Sequence, residues 1–138
     1  MLLRSDFKAL LDSGGARILQ PDVIHCGGIT EMRRIAALGE LYDVEISPHM
    51  WYGPIAHAAS IHSMAAVRNF LAQDWDGGSE ALFADITHGT LLKQQQGGVM
   101  LPEKPGLGIE MDWELLKCRF PYQGRRATPQ ITPRPQAR

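Results

Sequence analysis

A chain of 138 residues with 44% hydrophobic and 21% charged side chains has the length and balance of one globular domain with a sizeable core. Its formal net charge of −1 excludes a global field that would draw it to nucleic acid or an acidic membrane. No apolar run approaches the roughly 20 residues that span a bilayer, and Cys26 and Cys118 form neither a CxxC pair nor a disulfide framework, so a reducing cytoplasm is the expected compartment.

In chain order, the first periodic stretch is Ser5 to Asp12, with Phe7, Leu10 and Leu11 on one face. Ser5 or Asp6 is the expected cap, and Gly14-Gly15 end the helix. Arg17 to Asp22 reads as a short buried strand, with Pro21 tolerated only near its end. Cys26-Gly27-Gly28-Ile29 is a turn, and Thr30 is placed to cap a helix over Glu31 to Tyr42, whose inner face is Met32, Ile35, Ala36 and Gly39. Val44 to His49 repeats the strand pattern, closing on proline and an ionisable residue. Gly53-Pro54 opens a helix whose expected face is Ile55, Ala58, Ala59, His62, Ala65 and Ala66. Phe70 to Asp74 is a third strand, ending in an acid.

Strands alternating with helices across short connections predict a parallel sheet with right-handed crossovers. Each strand closes on a group capable of chemistry: Asp22, His49 and Asp74. Such a group at one strand end is usually a cap or turn former. Three at equivalent places point to the C-terminal rim on which α/β barrels build active sites. Beyond Asp74 the pattern weakens: a loop at 75–78, a short helix over 80–88, extended segments at 97–102 and 105–108, and a last helical turn over 112–117. The expected division is a partial barrel over 1–96, an extended segment and short helix over 97–122, and a disordered basic tail over 123–138.

Gln20-Pro21-Asp22, Cys26-Gly27-Gly28-Ile29-Thr30-Glu31, Ser47-Pro48-His49, Gly53-Pro54-Ile55-Ala56 and Leu101-Pro102-Glu103-Lys104-Pro105-Gly106-Leu107-Gly108 come one after another in that order. Over roughly residues 5–115 this set resembles the mandelate racemase/muconate-lactonizing group of the enolase superfamily, and within it the galactonate-dehydratase-like acid-sugar dehydratases. The resemblance implies an α/β fold: the C-terminal part of a (β/α)8 barrel, its last three β/α units, without the N-terminal capping domain. It implies that Asp22 hydrogen-bonds His49, fixing its tautomer and leaving the other ring nitrogen to move protons. In the dehydratases His49 would act as the acid that helps a β-hydroxyl leave; in the racemases, as a base for one face of the substrate. Gln73-Asp74 stands where the family has Gln-Glu, so Gln73 is a candidate substrate contact and Asp74 a carboxylate one methylene shorter than the family's.

Among the other polar residues, His25 is a candidate substrate contact near the first strand end. Trp51 and Tyr52, in the loop after His49, either line a substrate pocket or pack. His57 and His62 read as structural, His88 has no assigned role, and Cys26 reads as a small space-filling residue. Gly27-Gly28 ahead of a helix is too short a signal for a nucleotide fingerprint.

A complete barrel takes about 250 residues. The resemblance implies a Mg²⁺ enzyme that abstracts the proton α to a carboxylate of a sugar acid. It also implies that the metal ligands, the lysine-containing motif and the capping domain lie outside this chain. The expectation is a dehydratase fragment inactive alone, dependent on a missing N-terminal portion or on self-association. The alternatives are a racemase or cycloisomerase of the same superfamily, or a non-catalytic partial-barrel interaction module.

Overall fold

Two short parallel strands organise the fold. The structure is a computed structural model and describes residues 1–75, 79–122 and 124. Strand β1 (Ile18–Leu19) pairs with β2 (Glu45–Ile46), Ile18 opposite Glu45 and Leu19 opposite Ile46. Parallel neighbours cannot be joined by a tight turn, so the chain between them crosses over through helix α2 (Ile29–Glu40). Helix α3 (Pro54–Met64) makes the next crossover. Helix α1 (Arg4–Asp12) precedes β1 and packs on α2.

The strands are shorter than the sequence pattern predicts, and the third is reduced to a single parallel bridge between Ile46 and Phe70. Prolines account for the first two: Pro21 and Pro48 have no N–H to extend a ladder. The chain after Phe70 still runs beside β2. Ile46 N donates to Asn69 O at 2.8 Å, Leu71 N to Ile46 O at 2.9 Å, and Asp74 N to Pro48 O at 3.3 Å. The three strand ends therefore meet along one rim.

One face of this small sheet is covered. Leu19 and Ile46 are buried in a cluster with Phe7 and Leu11 of α1, Met32, Ile35 and Ala36 of α2, and Met64 of α3. Each of the larger of these side chains contributes about 1.5–3 kcal/mol by leaving water. Their neighbours Ile18 and Glu45 are exposed, Ile18 at 45%. Helix α2 approaches β2 so closely that a Cβ on Gly39 would lie 3.2 Å from Val44 O and 3.4 Å from the Asn69 amide nitrogen. That nitrogen donates to Ala36 O (3.0 Å) and Val44 O (2.8 Å), tying helix, strand and third segment together.

Helix starts differ from expectation by one or two residues, for identifiable reasons. Helix α1 begins at Arg4; Asp6 acts from within the first turn, its Oδ2 accepting from Leu2 N (3.2 Å) and Leu3 N (3.0 Å). Helix α2 begins at Ile29, ahead of Thr30, because Gly28 at φ 100° adopts a backbone that side chains disfavour. In α3 the expected apolar face is only partly right: Ala58 is buried, but Ile55, Ala65 and Ala66 are exposed while His57, Ser60 and Ser63 are buried. Small residues all round this helix let it be covered from several sides, which blurs the periodicity.

The helix expected over 80–88 is a short α4 (Ser79–Phe83) and a 3-10 turn (Asp85–Thr87), stopped where His88 turns left-handed at φ 47°. Strands β3 (Gln94–Gln95) and β4 (Gly98–Val99) form an antiparallel hairpin across the boundary expected at residue 96. In the Pro105-to-Gly108 turn, Gly108 has φ +70° and a Cβ there would lie 2.1 Å from Pro102 Cγ, so only glycine fits. Helix α5 (Trp113–Arg119) is capped by Asp112 Oδ1, which accepts from Leu115 N at 2.8 Å. It docks through the Arg119–Asp85 ion pair and through Asp112 N donating to Ile86 O at 2.8 Å. The tail expected to be disordered lies, apart from Gly124, outside the described residues. Among the described residues no helix is long and apolar enough to cross a membrane.

Candidate active site

Asp22 is the hub of the rim. After Pro21 the chain turns, with Cys26 N donating to Asp22 O at 2.8 Å and Gly28 N to Val23 O at 2.8 Å. The turn aims two amides back at the Asp22 carboxylate: Oδ1 accepts from Ile24 N (2.8 Å) and His25 N (3.0 Å). The other oxygen, Oδ2, accepts from His49 Nδ1 at 2.8 Å. Burial raises the Asp22 pKa, but the hydrogen bonds from His49, His25 and Ile24 outweigh it and hold the group below its ordinary 3.8. Asp22 is therefore an anion at neutral pH, although its side chain is only 8% exposed.

An ionised carboxylate accepts only, so His49 must carry a proton on Nδ1. Its Nε2 is then the nitrogen free to take or give a proton. The His49 side chain is 44% exposed, so that nitrogen can meet a ligand while Asp22 stays covered behind it. His49 N donates to Pro21 O at 3.1 Å, which registers the two strand ends directly.

Asp74 sits on the same rim with far less support. Its residue is exposed, and its Oδ2 is 3.4 Å from Met50 N, the amide next after His49. Gln73 is tied within the chain: its Oε1 accepts from Ser60 Oγ (2.9 Å), and its Nε2 donates to Pro48 O (3.2 Å) and Asp74 O (3.1 Å). These contacts clamp the third strand end against α3. Trp51 is 71% exposed beside the rim. His25 is exposed, and its Nε2 lies 2.5 Å from the Tyr52 hydroxyl. The structure thus brings Asp22, His49, Asp74, His25 and Trp51 to one edge, with Gln73 turned inward from it.

The remaining candidates fall elsewhere. Cys26 is buried in the core, and burial raises its thiol pKa, which leaves it a space-filler. His57 is buried edge-on against Trp75, ring centroids 4.2 Å apart, and burial lowers its pKa below 6.5. His62 lies 3.2 Å from Leu107 O, and His88 Nε2 lies 3.9 Å from the Asp112 carboxylate. An apolar groove of about 890 Å³ opens beside the rim, walled by Val23, Ile24, Tyr52, Ile55, Phe83 and Met111. Most of that wall is carbon, with the hydroxyls of Tyr52 and Thr30 as its polar side-chain groups.

The residues present do not suit Mg²⁺, which takes oxygen ligands in near-octahedral array. Among the described residues no three His, Cys, Asp or Glu side chains converge to hold an ion. Both Asp22 oxygens are already committed to N–H donors. What these described residues can supply is a nitrogen, His49 Nε2, able to exchange a proton.

The enolase C-terminal domain-like family model matches residues 2–115, the span that carries both the sheet and the rim. The chain belongs to that family. It is 42% identical over 126 residues to the D-galactonate dehydratase of Cronobacter sakazakii (strain ATCC BAA-894), covering 86% of this chain and 32% of that one. Among solved structures it superposes on a mandelate racemase/muconate lactonizing enzyme from Sulfitobacter sp. with a TM-score of 0.78 at 35% identity, over 91% of this chain and 31% of that one. It also matches an enolase from Pantoea ananatis whose crystal structure holds D-gluconate and Mg, with a TM-score of 0.75 at 28% identity, over 88% and 29%. The enolase-family chain thus spans about a third of the length of these relatives. As a member of the family it is an α/β portion of a barrel domain, in keeping with its parallel strands and crossover helices.

Tyr52, Asn69 and Ser60 are polar groups in this assembly to which residue patterns give no defined role. Tyr52 sits in an aromatic pair after His49, which is the one signal the sequence offers for it. Asn69 gives none, since its partners lie 25 and 33 residues away.

Proposed function

We propose that this chain is the C-terminal part of an acid-sugar dehydratase, contributing the last three β/α units of the barrel and the proton-transfer dyad Asp22–His49. The observation that carries the reading is the hydrogen bond from His49 Nδ1 to Asp22 Oδ2 at 2.8 Å, with Nε2 left open on the rim.

The reaction is loss of water from a sugar acid. The C2–H bond breaks, its proton goes to a base outside this chain, and its electron pair forms the enediolate. The C3–O bond then breaks as His49 Nε2–H protonates the departing hydroxyl, which leaves as water. The resulting enol takes up a proton at C3 and becomes a 2-keto-3-deoxy acid. Asp22 stabilises the His49 imidazolium before this transfer and holds the neutral ring in one tautomer after it. Asp74 assists at the substrate carboxylate through its side of the rim. In a complete site Mg²⁺ would supply stabilisation of developing negative charge, and residues outside those described would hold it. The chain by itself is accordingly inactive, and its compartment is the cytoplasm. The 42% identical relative, a D-galactonate dehydratase, and the neighbour holding D-gluconate and Mg support both the substrate class and the ion.

A chimera tests the reading: this chain replaces the matching third of the Cronobacter sakazakii enzyme, and 2-keto acid release from D-galactonate is monitored. Turnover that falls at least about a hundredfold in His49→Asn, with folding intact by circular dichroism, is the expected result. Turnover unaffected by His49→Asn contradicts it.

A further inference from the structure

Two histidines on the rim refer to the same carboxylate. Asp22 holds His49 by its side chain, through Nδ1, and His25 by its backbone, through the amide bond to Oδ1. Tyr52 closes the circuit: its hydroxyl lies 2.5 Å from His25 Nε2, and its ring stands edge-on to both imidazoles. The centroid distances are 5.6 Å to His25 at 70° and 6.3 Å to His49 at 79°. These contacts place the His25–Tyr52 pair beside the His49 ring.

Burial does not force the His25–Tyr52 bond. His25 is exposed and Tyr52 only half-buried, so water is an available partner for both. The pair's chemistry is that of a hydroxyl reader. A neutral imidazole and a phenol share one proton between Nε2 and oxygen, and either can supply it. Whichever arrangement holds, the Tyr52 oxygen keeps a free lone pair, and it gains a free O–H when His25 Nε2 supplies the shared proton, so it can accept from or donate to an alcohol. A simple carboxylate, which only accepts, gains nothing from the acceptor. The Tyr52 hydroxyl thus stands between His25 and an otherwise mostly apolar groove, whose lining adds the Thr30 hydroxyl.

We propose that Tyr52 and His25 form a second hydrogen-bonding pair of the active-site rim, which reads a hydroxyl of the substrate remote from the reacting carbons and so selects polyhydroxylated acids over short 2-hydroxy acids. The inference rests on the dehydratase reading and refines it: His49 acts on the reacting carbons, and the Tyr52–His25 pair measures the rest of the substrate. Tyr52 is a positioning residue for His25, and its ring limits the swing of His49.

The test uses the chain itself, labelled with ¹⁵N-histidine and titrated separately with D-galactonate and lactate. Both acids are expected to shift the His49 ring resonances, and only D-galactonate those of His25. Tyr52→Phe keeps the ring and removes the hydroxyl. It is expected to weaken D-galactonate binding by about three- to tenfold, the effect of one hydrogen bond, and to leave lactate within about twofold. His25→Ala serves as a second variant with the same expected selectivity, and an unchanged His49 signal in the free variant verifies the fold. Equal weakening of both acids, no weakening of either, or D-galactonate shifts confined to His49 overturn the inference and leave the dehydratase reading standing. Absence of any His49 shift with either acid overturns that reading, and the inference with it.

Discussion

Asp22 and Asp74 hold equivalent positions, each the acid that closes a strand end on one rim, yet their surroundings are opposite. Asp22 is buried, receives three N–H donors, and is kept ionised by them against the pull of burial. Asp74 is exposed and meets one amide at 3.4 Å. The difference lies in the backbone just beyond each acid. After Asp22 the chain folds into a turn that points amides backward; the amide that reaches Asp74 comes instead from Met50, on another strand end. A strand-end acid becomes a fixed electrostatic element only when the next few residues supply its donors.

Removing each acid separates the two cases most sharply. Asp22→Ala leaves the Ile24 and His25 amides and His49 Nδ1 without their acceptor, and should cost about 3 kcal/mol of unfolding free energy at pH 7. Asp74→Ala should stay within about 0.5 kcal/mol. Urea midpoints compared at equal slope decide this, and similar losses at the two positions would erase the distinction. Asn69→Ala comes next, at about 2 kcal/mol, because it strips two carbonyls of the donor that binds α2 to β2 and the third segment. It should also loosen the Asp74 side of the rim more than the Asp22 side, seen as faster amide exchange at Leu71 than at Ile24.

Acid stability sharpens the comparison further. The folded pKa of Asp22 lies below the ordinary 3.8, so unfolding takes up a proton. Its contribution is complete above about pH 4 and is lost as pH falls through the lower folded value. Asp22→Asn should flatten that limb, while Asp74→Asn should leave it in place. His57 adds a separate slope at higher pH. Its folded pKa is also lowered, by burial, so the unfolded chain binds the proton more readily and stability declines as pH drops below 6.5. His57→Gln should remove that decline, and fluorescence of the neighbouring Trp75 should report it. A loss of about 1 kcal/mol is expected for Gln73→Ala, whose bonds to Ser60 and Pro48 are partly open to solvent.

Much of this is legible in the residues, because the motif residues sit where backbone geometry leaves little choice. Gly28 at φ 100° and Gly108 under the Pro102 ring admit only glycine, and Pro21 and Pro48 mark where the ladders end. The Asp22–His49 pairing is implied by the resemblance, and the structure gives it a defined geometry. Less is legible where contacts are long-range or unpatterned. The α3 face differs in part from its periodicity because a helix of Ala, Ser and His has little contrast between its sides. The third strand dwindles to a bridge, since Phe70 to Asp74 has β2 as its one described strand partner. The clamp formed by Gln73 and Ser60 joins residues 13 apart by a bond that no periodicity announces.

The central claim is that Asp22 fixes His49 so that Nε2 is the working nitrogen, and ¹⁵N NMR of the histidine side chains tests it most directly. In the wild-type chain with a neutral His49 ring, the account predicts a protonated Nδ1 and an unprotonated Nε2. In Asp22→Ala that preference should be lost. A His49 ring protonated on Nε2 in the wild type, or a tautomer unchanged by Asp22→Ala, would contradict the dyad and the proton transfer built on it.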